Sequence, residues 1–144
     1  GSVTFAIPTD WKMDSWGTYY KNTQGLEDAY RLPENSGHDS IADIASTSIF
    51  VSSSDAQGKT VDQLWEQDDD INDLNSTIVI AGERARISEC GGLLYEECVY
   101  VVKGGVAYVI NVRNVSVVKE TADASARLLS QEIRQILHTM NFSR

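Results

Sequence analysis

Two runs of β-branched and aromatic residues, separated by a Gly-Gly pair, dominate the hydrophobic pattern at residues 97–113. Glycine readily adopts the positive φ angles that both central residues of a type I′ turn require. The pattern therefore predicts a β-hairpin with Gly104-Gly105 as its two-residue loop. This loop sets a register in which Cys98 faces Asn111. Because successive side chains alternate between faces, both faces of the hairpin are largely apolar. We therefore expect the hairpin to be central in a sheet that is covered on both sides.

Two segments have helical patterns that would supply this cover. Thr60 and Gln63 form a capping-box pattern, which predicts a helix from there to about Asp69. Between Thr121 and Met140 the apolar residues recur every three or four positions, which predicts one long C-terminal helix. Shorter alternating runs predict strands, among them residues 3–7, 12–21 and 76–81. The order of these elements predicts an α+β fold, an α/β/α sandwich around a central, mostly antiparallel sheet.

Length and charge narrow the classes of protein. The 144 residues predict a single domain, residues 1–144, and the opening Gly1-Ser2 pair is typical of a remnant of tag cleavage. A segment upstream of this pair could therefore have been removed, so the lack of a signal peptide in the sequence is not evidence for a cytoplasmic location. The formal net charge of −9 argues against a nucleic-acid partner, since such surfaces are basic. No apolar run approaches the roughly 18 residues of a transmembrane segment.

The two cysteines, Cys90 and Cys98, leave two interpretations open. A disulfide between them would close a small loop and indicate an oxidising compartment. Alternatively both are reduced, and one packs as a small hydrophobic residue.

An acidic stretch at residues 66–73 is the candidate cation site, with Asp68, Asp70 and Asp73 as its proposed ligands. Carboxylate oxygens are the ligands that hard cations such as Ca²⁺ bind, and Mn²⁺ also accepts them. The spacing imitates the start of an EF-hand loop. It departs from that loop where Asp73 replaces the glycine and Val79 replaces the bidentate glutamate.

Aromatic residues concentrate in the N-terminal third of the chain, and the candidate partner-binding residues are Trp11, Trp16, Tyr19 and Tyr20. Aromatic side chains at this density can line a groove for a ligand or partner. They can equally be core residues, and both interpretations remain open at this point.

Several core patterns together resemble the PsbP-like superfamily. They are Phe5-x-Ile7-Pro8-x-x-Trp11, the capped helix in mid-chain, Ile80-Ala81-Gly82-Glu83-x-Ala85, Ala107-Tyr108-Val109-Ile110 and Met140-Asn141-Phe142. The resemblance covers nearly the whole chain and implies an α/β/α sandwich. Many such domains are exported, including thylakoid-lumen photosystem proteins and the soluble parts of bacterial lipoproteins, while another branch is a nuclear-import factor that binds a small GTPase. The superfamily acts by binding and is not known for enzymes.

The sequence therefore favours a non-enzymatic binding or assembly domain of an exported protein, bacterial and of lipoprotein type, in the periplasm or at the cell surface. Its partner would be a protein or a small molecule. The alternative is a module that binds a metal ion or small molecule through the acidic loop 66–73. An enzyme is disfavoured, because the sequence offers no assembly of a nucleophile with a base and no metal triad.

Overall fold

The computed structural model of the chain describes residues 2–35, 37–67, 76–90, 96–114 and 130–143. Within these ranges there are nine strands: β1 (Ser2–Thr4), β2 (Trp11–Met13), β3 (Tyr19–Lys21), β4 (Thr47–Asp55), β5 (Ser76–Ile80), β6 (Glu83–Glu89), β7 (Glu96–Lys103), β8 (Val106–Asn114) and β9 (Asn141–Ser143). The α-helices are α1 (Leu26–Tyr30), α2 (Val61–Glu66) and α3 (Gln131–His138), and 3₁₀ helices lie at Pro33–Asn35 and Ile41–Asp43.

Seven strands form one antiparallel sheet in the order β2-β3-β4-β8-β7-β6-β5. The predicted hairpin is confirmed as β7 and β8, with Gly104 and Gly105 at φ 59° and 80° in the turn. Its register is the predicted one, and Cys98 faces Asn111. The hairpin occupies the middle of the sheet. The terminal strands β1 and β9 pair with each other as a separate two-stranded sheet.

The main core lies on the face of the sheet that carries Val99, Tyr108 and Ile110, all fully buried. Helix α3 contributes Ile133 and Leu137 to the same cluster. The Tyr108 hydroxyl donates to the backbone carbonyls of the two terminal strands, at Ser2 and Ser143, and so ties them to the sheet. On this face, the described part of the C-terminal segment covers the sheet with the short helix α3.

The predicted α/β/α sandwich with a long C-terminal helix is wrong. The described part of the chain is mostly β, with three short helices, and the described helix near the C-terminus begins at Gln131 rather than at Thr121. Ser130 has extended backbone geometry and its hydroxyl accepts a hydrogen bond from the Ile133 amide, so it caps the helix in the middle of the apolar stripe. Residues 121–129 lie outside the described ranges.

Helix α2 covers only part of the second face of the sheet, where it packs on β6 and β7. Its capping box is confirmed, since Thr60 and Gln63 exchange both hydrogen bonds. The helix ends at Glu66, short of the expected Asp69. Beyond it, on β4 and β8, the second face carries polar side chains such as Ser48 and Arg113, and these line a cavity.

Candidate ligand-binding cavity

A cavity of about 280 Å³ lies on the second face of the sheet, at the ends of β4, β7 and β8. The strand register explains its composition: Ser48 and Glu96 both pair with Arg113, one from each neighbouring strand, so these three side chains share one face. In the next row, Asn111 pairs with Phe50. Thr18 on the hairpin β2–β3 and Asp43 of the 3₁₀ helix complete the polar lining.

Arg113 is the most unusual residue of this cavity. Its exposure is 8%, and its Nη1 donates to the backbone carbonyls of Ala42 and Asp43. Its Nε is buried and has no hydrogen-bond partner. No carboxylate of the described residues lies within 4.0 Å of the guanidinium. Burial lowers the pKa of Arg113, while the negative charges of Glu96 and Asp43 oppose that shift.

The two acidic residues of the cavity, Asp43 and Glu96, differ in the contacts of their carboxylates. The Asp43 carboxylate faces His38, with 3.9 Å between Oδ2 and Nδ1. Glu96 is half-buried; its backbone carbonyl accepts from the Cys90 amide, but its carboxylate forms no hydrogen bond and no ion pair within 4.0 Å among the described residues. The cavity therefore contains a cation and an anion, Arg113 and Glu96, that lie on paired positions and interact electrostatically but are not in direct contact.

A disulfide lies next to Asn111, one of the residues that line the cavity. Cys90 and Cys98 are bridged, which decides the question that the sequence left open. The Asn111 amide nitrogen lies 3.4 Å from the Cys98 sulfur and 3.9 Å from the Cys90 sulfur, and donates to them. The disulfide thereby helps to fix the orientation of a side chain that lines the cavity.

Asp14 connects the β2–β3 turn with the 3₁₀ helix Ile41–Asp43, and both of these segments line the cavity. Its Oδ1 accepts hydrogen bonds of 2.9 Å from the amides of Trp16 and Thr18, which shape the β2–β3 turn. Its Oδ2 accepts from the Ser40 hydroxyl. Ser40 in turn caps the 3₁₀ helix, where its hydroxyl oxygen accepts from the Ala42 amide. One carboxylate therefore positions both the hairpin that carries Thr18 and the helix whose carbonyls hold Arg113. Residues 12–21, predicted as one strand, form two strands because of this turn.

The four predicted partner-binding aromatics do not form one surface. Trp11 belongs to the main core and is 6% exposed, while Tyr20 belongs to a second, smaller cluster and is 5% exposed. Tyr19 is half-buried and packs edge-to-face on Phe5, with ring centroids 5.3 Å apart. Trp16, at the hairpin tip, is 65% exposed. The neighbouring turn residue, Gly17, lies close to the ring of Phe50, which lines the cavity, but Trp16 itself is not among the lining residues.

The predicted cation ligands Asp68, Asp70 and Asp73 lie outside the described residues. Within the described ranges, no group of three or more histidine, cysteine, aspartate or glutamate side chains is arranged to hold a metal ion. Binding of Ca²⁺ or Mn²⁺ by the acidic loop therefore stays a prediction. In the same ranges, no helix combines the length and apolar character needed to cross a bilayer.

Sequence reasoning missed Arg113, Glu96 and Asn111 as site residues. A signal was present in the hairpin register: two polar side chains, Asn111 and Arg113, interrupt the second face of an otherwise apolar strand. The remaining lining residues come from other segments. Asp43 lies seventy positions before Arg113, a separation at which local patterns carry no pairing information.

A second buried arginine shows what a partnered guanidinium looks like in this protein. Arg86 is 7% exposed, its Cζ lies 3.8 Å from the centroid of the Trp65 ring, and its Nη1 donates to Asp62. The Trp65 indole N–H donates in turn to the Ile87 carbonyl at 2.9 Å. Arg84 binds the same aspartate, and these hydrogen bonds lower the pKa of Asp62.

One solved structure shares this fold. A protein of Bacteroides thetaiotaomicron, solved as a crystal structure at 1.50 Å, is similar over 99% of this chain, with a TM-score of 0.51 and 15% sequence identity. The match covers 45% of that protein. At this identity the similarity shows the fold alone. No protein-family model and no curated protein matches the chain, so the resemblance to the PsbP-like superfamily stays a prediction.

Proposed function

We propose that the chain is a non-enzymatic binding domain of an exported protein, and that it holds a small polar ligand in the Arg113 cavity. The observation that carries this proposal is the buried guanidinium of Arg113, which lines a cavity and has no carboxylate within 4.0 Å among the described residues. Burial of a charge without a contacting counter-charge is costly, and the carboxylate of a bound ligand would supply that counter-charge.

The dimensions and the lining of the cavity agree with a small ligand. Ligand pockets typically measure about 300–1,000 Å³, and the cavity of about 280 Å³ lies just below that range, as expected for a small ligand. Hydroxyl and amide groups from Thr18, Ser48 and Asn111 offer hydrogen bonds, and Phe50, 37% exposed, offers an apolar contact. Trp16 is exposed and lies two residues before Thr18 in the same turn, so it offers an aromatic contact to a partner that approaches this part of the molecule.

The Cys90–Cys98 disulfide supports the proposed compartment. Disulfides persist in the periplasm, at cell surfaces and in other oxidising environments, and are rare in the cytosol. A periplasmic or cell-surface location, as in a bacterial lipoprotein, is part of the proposal. Fractionation of the native host, with detection of the bridged form by mass after alkylation without reductant, tests this part. Recovery of the protein from the cytosol with both thiols free would contradict it.

A ligand screen on three proteins tests the binding function. The wild type, Arg113→Met and Arg31→Met are compared by thermal shift and calorimetry against a panel of small polar metabolites. Arg31 is a matched control, because its side chain is 73% exposed and lies outside the cavity. We expect a ligand that stabilises the wild type and Arg31→Met but not Arg113→Met. Ligand binding that survives in Arg113→Met, or turnover of the ligand by the wild type, would contradict the proposal.

A further inference from the structure

We propose that the Arg113 cavity binds a small zwitterion, an α-amino acid, whose carboxylate contacts Arg113 and whose ammonium group contacts Glu96. This inference rests on the proposed binding function and names its ligand class. It starts from the two charged side chains that the hairpin register places opposite each other. Arg113 and Glu96 pair across β7 and β8 and line the same cavity, yet they lie more than 4.0 Å apart.

The separation of these two charges is informative. Opposite charges on paired strand positions normally approach each other, because direct contact gains Coulomb energy and hydrogen bonds. Here the guanidinium is instead held by the carbonyls of Ala42 and Asp43, and the Glu96 carboxylate acts on it only at a distance, without a hydrogen bond or ion pair among the described residues. A ligand that carries both charges completes both groups at once, with its carboxylate on the arginine and its ammonium on the glutamate.

Ligands with a single charge fit this cavity less well. A simple carboxylate would be attracted by Arg113 but would meet the negative charges of Glu96 and Asp43. A simple amine would be attracted by those two residues and repelled by the guanidinium. Charge arrangements of this kind discriminate by repulsion as well as by attraction. A zwitterion matches the cavity without leaving either group uncompensated.

The remaining lining residues fit an amino acid of modest size. The cavity of about 280 Å³ has room for a small molecule, and Phe50 offers an apolar wall for its side chain. The hydroxyls of Ser48 and Thr18 can accept hydrogen bonds from the remaining ammonium N–H groups or donate a hydrogen bond to the second carboxylate oxygen. These neutral groups add hydrogen bonds without changing the charge balance.

Calorimetric titration of the intact chain with the twenty L-amino acids, one at a time, tests the inference. The amino acid that binds most tightly is then compared with its carboxamide, which lacks the carboxylate, and its N-acetyl derivative, which lacks the ammonium group. We expect each derivative to bind at least about tenfold more weakly, the loss typical of one charged partner. Equal affinity of all three compounds, or no binding by any amino acid, would overturn the inference.

Two variants locate the ammonium group. Glu96→Gln should weaken binding of the amino acid at least about tenfold and leave the weaker binding of the N-acetyl derivative unchanged. Glu34→Gln, which removes an exposed glutamate of the 3₁₀ helix Pro33–Asn35, is the matched control and should bind normally. Because the Glu96 carboxylate forms no hydrogen bond or ion pair with the described residues, and the amide is of the same size, the substitution should not unfold the chain. Unchanged amino-acid binding by Glu96→Gln would overturn the assignment.

The outcomes separate this inference from the proposed function. If a ligand of another class binds and requires Arg113, the zwitterion assignment fails and the binding function stands. If Arg113→Met leaves the binding of every ligand unchanged, the proposed function itself fails.

Discussion

Replacement of Arg113 by methionine removes a buried charge and keeps an unbranched side chain about as long as the aliphatic part of the arginine. Two effects of this change on the unliganded protein oppose each other. The carbonyls of Ala42 and Asp43 lose a charged donor, which costs about 2–3 kcal/mol before water from the cavity replaces part of it. The substitution also removes the desolvation penalty of a guanidinium whose Nε has no partner, again about 2–3 kcal/mol.

The two contributions nearly cancel, so the free energy of unfolding of Arg113→Met should lie within about 1 kcal/mol of the wild-type value. This small effect is specific to an arginine without a carboxylate partner. Removal of one member of a buried ion pair typically costs about 3–5 kcal/mol. Urea unfolding followed by tryptophan fluorescence, with the disulfide intact, measures the difference directly.

Arg86→Met is the matched control for this measurement, because Arg86 is equally buried but is partnered by Trp65 and Asp62. Loss of the cation–π contact and its packing should destabilise the protein by about 2 kcal/mol or more. A loss above about 3 kcal/mol in Arg113→Met would refute the reasoning, since it would show that the guanidinium is fully compensated in the unliganded protein.

Three further predictions concern stability. Cys98→Ala opens a disulfide loop of eight-residue separation and should cost about 2.5 kcal/mol by the loop-entropy relation, measured as a lower urea midpoint. Thr60→Ala removes one hydrogen bond of the capping box and should cost about 1 kcal/mol, whereas Thr60→Ser should be neutral. The pKa of Asp62 is lowered in the folded state by Arg84 and Arg86, so its contribution is present above its ordinary pKa of 3.8 and is lost as pH falls below that value. Asp62→Asn should therefore reduce stability at pH 6 and have a smaller effect at pH 2.5; an equal effect at both pH values would contradict this.

The central hairpin was predictable because its determinants are local. Gly104-Gly105 specifies the turn, the turn specifies the register, and the confirmed pairing of Cys98 with Asn111 follows. The capping box at Thr60 is local in the same sense. In both cases the residues that decide the structure lie within a few positions of each other.

The C-terminal segment shows where periodicity misleads. An apolar stripe tells which side of a helix would face a core, but it does not tell where the helix begins. Ser130 lies within the predicted stripe, and its capping hydrogen bond from Ile133 sets the N-terminus of α3. The predicted cover on the second face of the sheet fails for a different reason, since the serines of β4 and the side chain of Arg113 make part of that face polar.

The cavity as a whole could not be predicted because part of its lining is distant in sequence. The hairpin register places Glu96 opposite Arg113, but Thr18 and Asp43 come from separate segments that only the folded chain brings to this pair. The predicted aromatic cluster shows the reverse problem. Its members are close in sequence, but successive side chains of a strand point to opposite faces of the sheet, so Tyr20 and Tyr19 lie on different faces.

A crystal structure of the wild-type chain in complex with its best amino-acid ligand tests the central claim most directly. We predict electron density for the ligand in the cavity, with its carboxylate within hydrogen-bond distance of Arg113 and its ammonium nitrogen within hydrogen-bond distance of Glu96. Ligand density at another place on the molecule, or a cavity that contains only water at saturating ligand, would contradict the account.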